Sequence, residues 1–374
     1  MNETINFNKK DKIVIAMSGG VDSSVAAALL KEQGYDLIGI TMGLACSSKS
    51  SDRGCCSFSA AADAKKVAES LGFPHYTLNF KDEFQYYVID NFIEEYKNGR
   101  TPNPCIRCNQ FIKFDLLMRK AKELGAEYIA TGHYARIMPN AEFRMTNEGI
   151  KYKLFKGKDQ RKDQSYVLYT MNQESLAHAL FPLGDLTKQE VRKIDRELEL
   201  TVAEKEESQE ICFVEDDNYG RFLKEALPGA AKPGKIVDKN GKQVGEHEGI
   251  AFYTIGQRKG VGAHRGCPKY VIAIDRGENR VVIGNQEDLM AMELTAEQVS
   301  FVSGEWPAGP IEVTAKIRYN SAEAEAVVRW LGGAVVRVKF KEPQRAITPG
   351  QSVVFYNGEE VIGGGIISRE DPKT

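Results

Sequence analysis

The sequence predicts an α/β chain: a doubly wound parallel sheet first, then a small mainly β domain, then an antiparallel β-barrel. Three observations predict it. Apolar strand-like runs alternate with helical patterns from Lys12 to about Gly132. Composition shifts after Tyr219, where Pro228-Gly229 and Pro233-Gly234 punctuate short β-like pieces. From Gln286 onward, short alternating runs recur at regular spacing between Gly, Pro and Asn turns. A chain of 374 residues is also too long for one ordinary core. The expected divisions are residues 1–217, 218–284 and 285–374.

In the first part the expected strands are Ile13–Met17, Leu37–Met42, His75–Asn79 and Tyr128–Thr131. The helices between them are expected at Ser23–Gln33, Ser57–Leu71, Glu83–Lys97 and Lys113–Leu124. The run Ile13-Val14-Ile15 suits a central parallel strand. It leads into Ser18-Gly19-Gly20-Val21-Asp22-Ser23-Ser24, a polar turn before a helix that Asp22 or Ser23 can cap. Backbone N–H groups in such a turn approach a phosphate closely at the positive end of a helix dipole. No Gly-Lys-Ser/Thr follows at Walker spacing, and no Gly-x-Gly-x-x-Gly is present there. The loop resembles the PP-loop of adenine nucleotide alpha hydrolase-like enzymes, which cleave ATP between its α and β phosphates. The plain alternative is a Ser/Gly turn without a ligand. In a doubly wound sheet ligands sit outside the carboxyl ends of the strands. That places the loop, Met42 and Gly132 around one crevice, with Met42 either core or packed on an adenine ring.

The second informative stretch is Gly99-Arg100-Thr101-Pro102-Asn103-Pro104-Cys105-Ile106-Arg107-Cys108-Asn109. Its Cys-x-x-Cys reads as lying just before a helix, where amide dipoles favour a thiolate. A redox pair, a structural zinc half-site and a catalytic thiolate, with or without an iron–sulfur cluster completed by a distant cysteine, all remain open. Cys46, Cys55 and Cys56 read as loop or helix-start residues. Cys212 sits in an apolar pair inside an acidic stretch, its plain reading being a buried cysteine on a short strand.

A hairpin is expected from Phe143 to Gln164, turning near Asn147-Glu148-Gly149. Lys156, Lys158, Arg161 and Lys162, with Arg100, Arg107 and Lys113, make a local basic surface that suits a polyanion or is merely a solvated face. Thr187 and Glu190 form a capping box for a helix to about Leu198. Tyr270–Asp275 and Arg280–Gly284 read as a hairpin. The barrel strands are Ile311–Arg318, Ala324–Trp330, Ala334–Phe340, Gln351–Tyr356 and Val361–Ser368. The barrel is not basic, so an orienting role is expected of it, with Arg318-Tyr319 placed to pin a nucleotide.

Seven cysteines, an odd number, argue for thiol chemistry or a metal rather than a disulfide scaffold. Net charge is −2, so nucleic-acid binding must rest on local patches. No apolar run approaches a membrane span and the N-terminus is polar, so the expectation is a cytoplasmic protein, read as a monomer.

Taken together, these pieces resemble the tRNA-specific 2-thiouridylase (MnmA/TrmU) family over essentially the whole chain. The resemblance rests on Ala16–Ser24, Gly99–Asn109, Ala130–Tyr134, Lys162–Tyr166, Ser208–Phe213, Tyr253–Gly260 and Arg318-Tyr319. It implies ATP-dependent conversion of the wobble uridine of tRNA to 2-thiouridine. By that likeness Ala16, Met17, Ser18, Gly19, Gly20, Val21, Asp22, Ser23, Met42 and Gly132 contact ATP, with Mg²⁺ near Asp22. Asn103, Pro104, Cys105, Lys162, Asp163 and Gln164 approach the target base and its tRNA, and Arg318 and Tyr319 hold tRNA elsewhere. Cys212 carries a persulfide from an upstream donor protein. Cys108 attacks or reduces it, freeing sulfur to displace AMP and leaving a Cys108–Cys212 disulfide. One departure stands out. The best-known members carry Asp where this chain has Cys105, and the resulting trio Cys105, Cys108 and Cys212 resembles the three-cysteine sites of [4Fe–4S]-dependent tRNA thiolases. A ligase acting on a small metabolite, or a non-enzymatic RNA-binding or iron–sulfur carrier, would leave part of this set idle.

Overall fold

Strand β1 (Lys12–Ala16) lies at the centre of a five-stranded sheet because its residues are apolar on both faces. Ile13 and Ile15 face α1 (Val21–Glu32), while Val14 faces the opposite layer of helices. All three are fully buried, the pattern of a sheet covered on both sides. The computed structural model describes residues 11–44, 58–140, 151–200, 211–214, 218–227, 229, 231–261 and 268–368. Within them β2 (Asp36–Gly43), β3 (His75–Asn79), β4 (Tyr128–Ala130) and β7 (Ala179–Leu180) join β1 in the order β3-β2-β1-β4-β7, every pairing parallel. The expected parallel sheet is thus present, with β7 as an additional edge strand.

Two helical runs cover one face. The first is built from Lys81–Phe84, Gln85–Ile89 and Asp90–Lys97, the second from Pro104–Arg107, Cys108–Leu117 and Met118–Glu123, each with a π-helical middle section. The second run corrects the sequence reading. The helix expected at Lys113 begins nine residues earlier, because Asn103 caps it and Pro104 is suited to its first turn. The Cys-x-x-Cys is therefore inside the helix. At α1 the expected cap is also different. Gly20 holds the N-cap position without a side-chain cap, and the hydroxyls of Ser23 and Ser24 donate back to its carbonyl at 3.1 and 3.0 Å.

The middle sheet runs β10-β11-β8-β9, from β8 (Gly234–Asp238), β9 (Gln243–His247), β10 (Tyr270–Asp275) and β11 (Arg280–Gly284). The hairpin β10–β11 has the bounds read from sequence. The barrel comprises β12 (Met290–Phe301), β13 (Ile311–Lys316), β14 (Ala324–Gly332), β15 (Val335–Arg345), β16 (Ser352–Asn357) and β17 (Glu360–Ile367). It closes where β12 pairs with β17. Strand β12 was not expected. Gln298 adopts φ 52° and the register slips between Glu297 and Ser300, so the alternation that betrays a strand is broken there.

The predicted hairpin is present but displaced. Its first strand is β5 (Ala135–Pro139), not the segment from Phe143, and it pairs with β6 (Tyr152–Lys156). The turn expected at residues 147–149 lies outside the described residues. Strand β6 then pairs with β17, so the first domain adds a hairpin to the edge of the barrel. Among the described residues no helix is long and apolar enough to cross a membrane.

Candidate functional site

The nucleotide loop is shaped by close backbone packing. Gly19 has φ +68°, and a Cβ there would fall on the carbonyl of Ala60 in α2 (Phe58–Ser70). A Cβ on Gly132, just past β4, would meet the Asp22 carbonyl carbon and the Ser23 nitrogen, each at 2.9 Å. Both glycines are required by contact, which the sequence reading reached for Gly132 only by topology. Inside the loop Ser18 N–H donates to Ser23 Oγ at 3.2 Å. Met17 is buried among the helices on the α1 side, and Met42 is half-buried against the opposite core cluster at the carboxyl end of β2.

Asp22 carries an arrangement that sequence reasoning missed. Its Oδ1 accepts from Tyr134 Oη and from Lys188 Nζ, both at 2.7 Å. Lys188 opens the helix Lys188–Glu197, whose capping box is formed as expected by Thr187 and Glu190. Tyr134 is itself held, its N–H bonded to Gln164 Oε1 at 3.0 Å and its carbonyl to Gln164 N–H at 2.9 Å. Deep beside them His133 lies between Thr131 Oγ1 at 2.7 Å and Lys113 Nζ at 3.5 Å. Burial, aided by the Lys113 charge, holds His133 well below the usual histidine range. The imidazole is therefore neutral.

The Lys113–His133 contact ties the middle of the 104–123 helix to the carboxyl end of β4. Cys108 lies five residues earlier, at the start of the same π-helical section. Cys105 and Cys108 are one turn apart on this helix, and both are half-buried. Cys212 is half-buried as well, and all three thiols pack against the same apolar cluster that takes Met42. Cys212 is placed by its neighbour Phe213, which meets Phe84, Phe92 and Phe222 edge-on with centroids 5.2–5.8 Å away. Among the described residues no group of three or more His, Cys, Asp or Glu side chains is placed to hold a metal ion. As placed here, the three thiols do not form a cluster site. Cys46, Cys55, Cys56 and residues 208–210 lie outside the described residues.

The segment before the thiol helix is gripped from both other domains. Thr101 N–H donates to Pro349 O at 2.8 Å, and Gln351 Nε2 donates to the carbonyls of Thr101 and Pro102 at 2.8 and 3.3 Å. Thr101 Oγ1 also meets Thr254 Oγ1 of the middle domain at 3.1 Å. Asn103 spends its side-chain oxygen on Cys105 N–H at 3.1 Å.

Several residues expected at the RNA turn out to brace the fold. Asp163 is buried, its Oδ1 accepting from the Gly157 and Ser165 N–H groups at 3.0 and 3.1 Å and its Oδ2 from Ser165 Oγ at 2.8 Å. Gln164 is committed to Tyr134. Arg318 Nη2 donates to Ile255 O at 3.1 Å, Ala346 O at 2.9 Å and Thr348 Oγ1, joining the middle domain to the barrel. Tyr319 donates to Asp163 O at 3.0 Å, and burial with the nearby Asp163 and Cys105 pushes its hydroxyl up to about 12. Lys162 is half-buried beside this group.

The expected basic surface is neutralised in part, at Arg100, Lys156 and Lys158. Arg136, Lys153 and Lys156 of the hairpin pair with the barrel carboxylates Glu359, Glu360 and Glu323 at 2.7, 3.1 and 2.5 Å. Arg100 pairs with Glu95 and Glu297, and Lys158 with Glu190. Such pairs contribute little stability each, and they balance part of the local positive charge. Among the described residues Arg107 and Lys113 form no ion pair; Arg107 stacks on Phe111 at 4.5 Å and donates to Tyr87 O at 3.1 Å.

Comparison with known proteins matches these three units. Residues 11–216 fit the family model described as tRNA methyl transferase HUP domain, 220–285 its PRC-barrel domain, and 291–367 the aminomethyltransferase beta-barrel domain. The chain is 50% identical over 361 residues to tRNA-specific 2-thiouridylase MnmA of Clostridium perfringens, covering 96% of this chain and 98% of that one. It is 51% identical over 359 residues to the protein of the same name from Clostridium acetobutylicum, covering 95% and 99%. A solved U34-tRNA thiolase NcsA from Methanococcus maripaludis with its [4Fe-4S] cluster is 24% identical, over 59% of this chain and 69% of that one, at TM-score 0.34. A likeness that loose carries no argument. Identity near one half over nearly full length does: the chain belongs to the tRNA-specific 2-thiouridylase family.

Proposed function

We propose that this enzyme converts the wobble uridine of tRNA to 2-thiouridine in the cytoplasm, acting as a monomer on ATP, tRNA and sulfur from a donor protein. ATP sits against Ala16–Ser23, Met42 and Gly132, with Mg²⁺ near Asp22. The uridine C2 oxygen attacks the α-phosphorus, pyrophosphate leaves, and the base is activated as its adenylate. Cys212 bears the incoming sulfur as a persulfide. The Cys108 thiolate attacks the Cys212 sulfur, the S–S bond breaks, and the terminal sulfur departs as hydrosulfide. Hydrosulfide adds at C2 and AMP leaves with the original oxygen. The resulting Cys108–Cys212 disulfide is reopened by an external dithiol. Target-base contacts fall to Asn103, Pro104, Cys105 and Lys162, with Asp163 and Gln164 shaping that wall and Arg318 and Tyr319 fixing the barrel against it. An anticodon base lifted out of its stack suits such a pocket.

The observation that supports this reading is the chain of contacts from the nucleotide loop through Gly132, packed on Asp22 and Ser23, to His133 and Lys113 of the helical run that carries Cys105 and Cys108. The test combines purified enzyme, Mg-ATP, unmodified tRNA and a persulfide donor, with nucleoside mass spectrometry and pyrophosphate release as readouts. Thiolated uridine with matching pyrophosphate is expected. Pyrophosphate released by a small acid or amide, with none from tRNA, would replace this reading with a ligase. Iron and labile sulfide, measured on protein purified without oxygen, separate the persulfide route from the cluster route. Iron near four per chain, lost in Cys105→Ala, would overturn the former.

A further inference from the structure

Between Ala16 and Ser24 the nucleotide loop carries no Lys or Arg. Its amides can cradle phosphate oxygens, but a departing pyrophosphate gathers charge that amides and one divalent cation offset only in part. The structure brings a cation to this loop from far along the chain. Lys188 Nζ lies 2.7 Å from Asp22 Oδ1, and its side chain is 13% exposed against 36% for Asp22. The backbone behind it is pinned, since Lys188 N–H donates to Asp159 Oδ2 at 2.9 Å and the capping box closes around Thr187. Only the flexible four-carbon stem is left to move, and Tyr134 Oη is a second, neutral donor to Asp22 at 2.7 Å.

We propose that Lys188 stabilises the leaving group of the adenylation step, moving from Asp22 to the β- and γ-phosphates when ATP binds; this rests on the function proposed above. The exchange swaps one anionic partner for another, so the partly buried ammonium is never left without a counter-charge. It would also free Asp22 Oδ1 to hold a divalent cation, which would share the phosphate charge. As the C2 oxygen bonds to the α-phosphorus, the bond from that phosphorus to the bridging oxygen breaks and its electron pair goes to pyrophosphate. Lys188 keeps its proton throughout and acts by charge alone.

The test is single-turnover pyrophosphate release by the full chain with Mg-ATP and tRNA. Lys188→Gln should slow the rate at saturating ATP by about 10²–10³-fold, the loss typical of one removed charge-stabilising donor. ATP half-saturation should change far less, and Lys188→Arg should recover much of the rate. Lys193→Gln on the same helix, an exposed partner of Glu197, should match the wild type. A Lys188→Gln rate within threefold of wild type, or a loss confined to half-saturation, would overturn the inference alone. A wild type that releases no pyrophosphate on tRNA addition would overturn the functional reading and this inference with it. One measurement needs no variant: a structure with Mg²⁺ and a non-hydrolysable α,β-methylene ATP. Lys188 Nζ should lie about 3 Å from a β or γ oxygen; an ammonium still on Asp22 would refute the exchange.

Discussion

Replacing Gly132 by alanine tests whether the β4 end supports the nucleotide loop. The new methyl carbon would stand 2.9 Å from the Asp22 carbonyl carbon and the Ser23 nitrogen, and 3.1 Å from Asp22 Cβ. Ordinary contact begins near 3.4 Å, so α1 and its loop must retreat by about 0.5 Å. The atoms in the way are backbone in the first helical turn, where Ser24 N–H is bonded to Gly20 O at 3.2 Å, and they have no rotamer to change. Overpacking of this kind costs about 1–3 kcal/mol. At about 2–4 °C per kcal/mol for a unit of this size, melting should fall by about 2–12 °C. A loop displaced by half an ångström should also slow tRNA-dependent pyrophosphate release by about tenfold, since a 1 Å misplacement can cost 10²-fold. Gly309→Ala, whose Cβ meets nothing within 4 Å, is the control and should behave as wild type. Wild-type melting and rate in Gly132→Ala would refute the packing argument. A lowered melting temperature with an unchanged rate would refute the assignment of this loop to ATP.

Other consequences follow from the same geometry. Cys108→Ser and Cys212→Ser should each abolish 2-thiouridine formation while tRNA-dependent pyrophosphate release stays within about threefold, because adenylation precedes sulfur transfer; loss of both readouts together would sink the division of labour. Lys153→Ala should leave tRNA affinity within about threefold and the salt dependence of binding unchanged, since Lys153 already serves Glu360. A salt slope reduced by about one would show that it meets a phosphate. His133, held neutral by burial, makes stability pH-dependent on the acid side. The unfolded chain takes up this proton as pH falls below about 6.5 while the folded chain does not. Stability is thus complete above that pH and declines beneath it, by at most about 1.4 kcal/mol per unit for this one group. Denaturant titrations from pH 7.5 to 5 should show a flatter decline in His133→Asn; an identical slope would refute the assignment.

What was legible in the sequence was whatever a short window records. Ile13–Ile15, the Thr187–Glu190 box and the β10–β11 hairpin are local patterns, and each appears where its residues place it. The features that escaped are those where distant chain settles the matter. Strand β12 is hidden because its bulge at Gln298 interrupts the two-residue period. The acidic partners of the basic hairpin are invisible in its own stretch of sequence, because Glu323, Glu359 and Glu360, which pair with Lys156, Arg136 and Lys153, lie about two hundred residues away in the chain. Lys188 is 166 residues from Asp22, and nothing near it marks it as a cation for the loop.

The bracing residues show why motif and contact should be kept apart. The Arg318-Tyr319 motif suggests a hand for RNA, while the Arg318 guanidinium spans Ile255, Ala346 and Thr348, and Gln164 holds the tyrosine that holds Asp22. Such residues reach the reaction through geometry. Thr101 and Pro102 are bonded to the barrel and Thr101 also to the middle domain, so the start of the thiol helix is positioned by all three units together. A change in Arg318 that loosens the barrel from the middle domain should therefore reach Cys105 and Cys108 through that short segment. The same substitution would weaken RNA binding if the guanidinium met a phosphate directly. Comparing its effect on melting with its effect on the salt slope of RNA binding separates the two. A large drop in melting with an unchanged slope is the outcome the hydrogen bonds require, because removing this side chain breaks three bonds at the junction of two domains and leaves Ile255 O without its donor, while Ala346 O keeps the Thr348 hydroxyl.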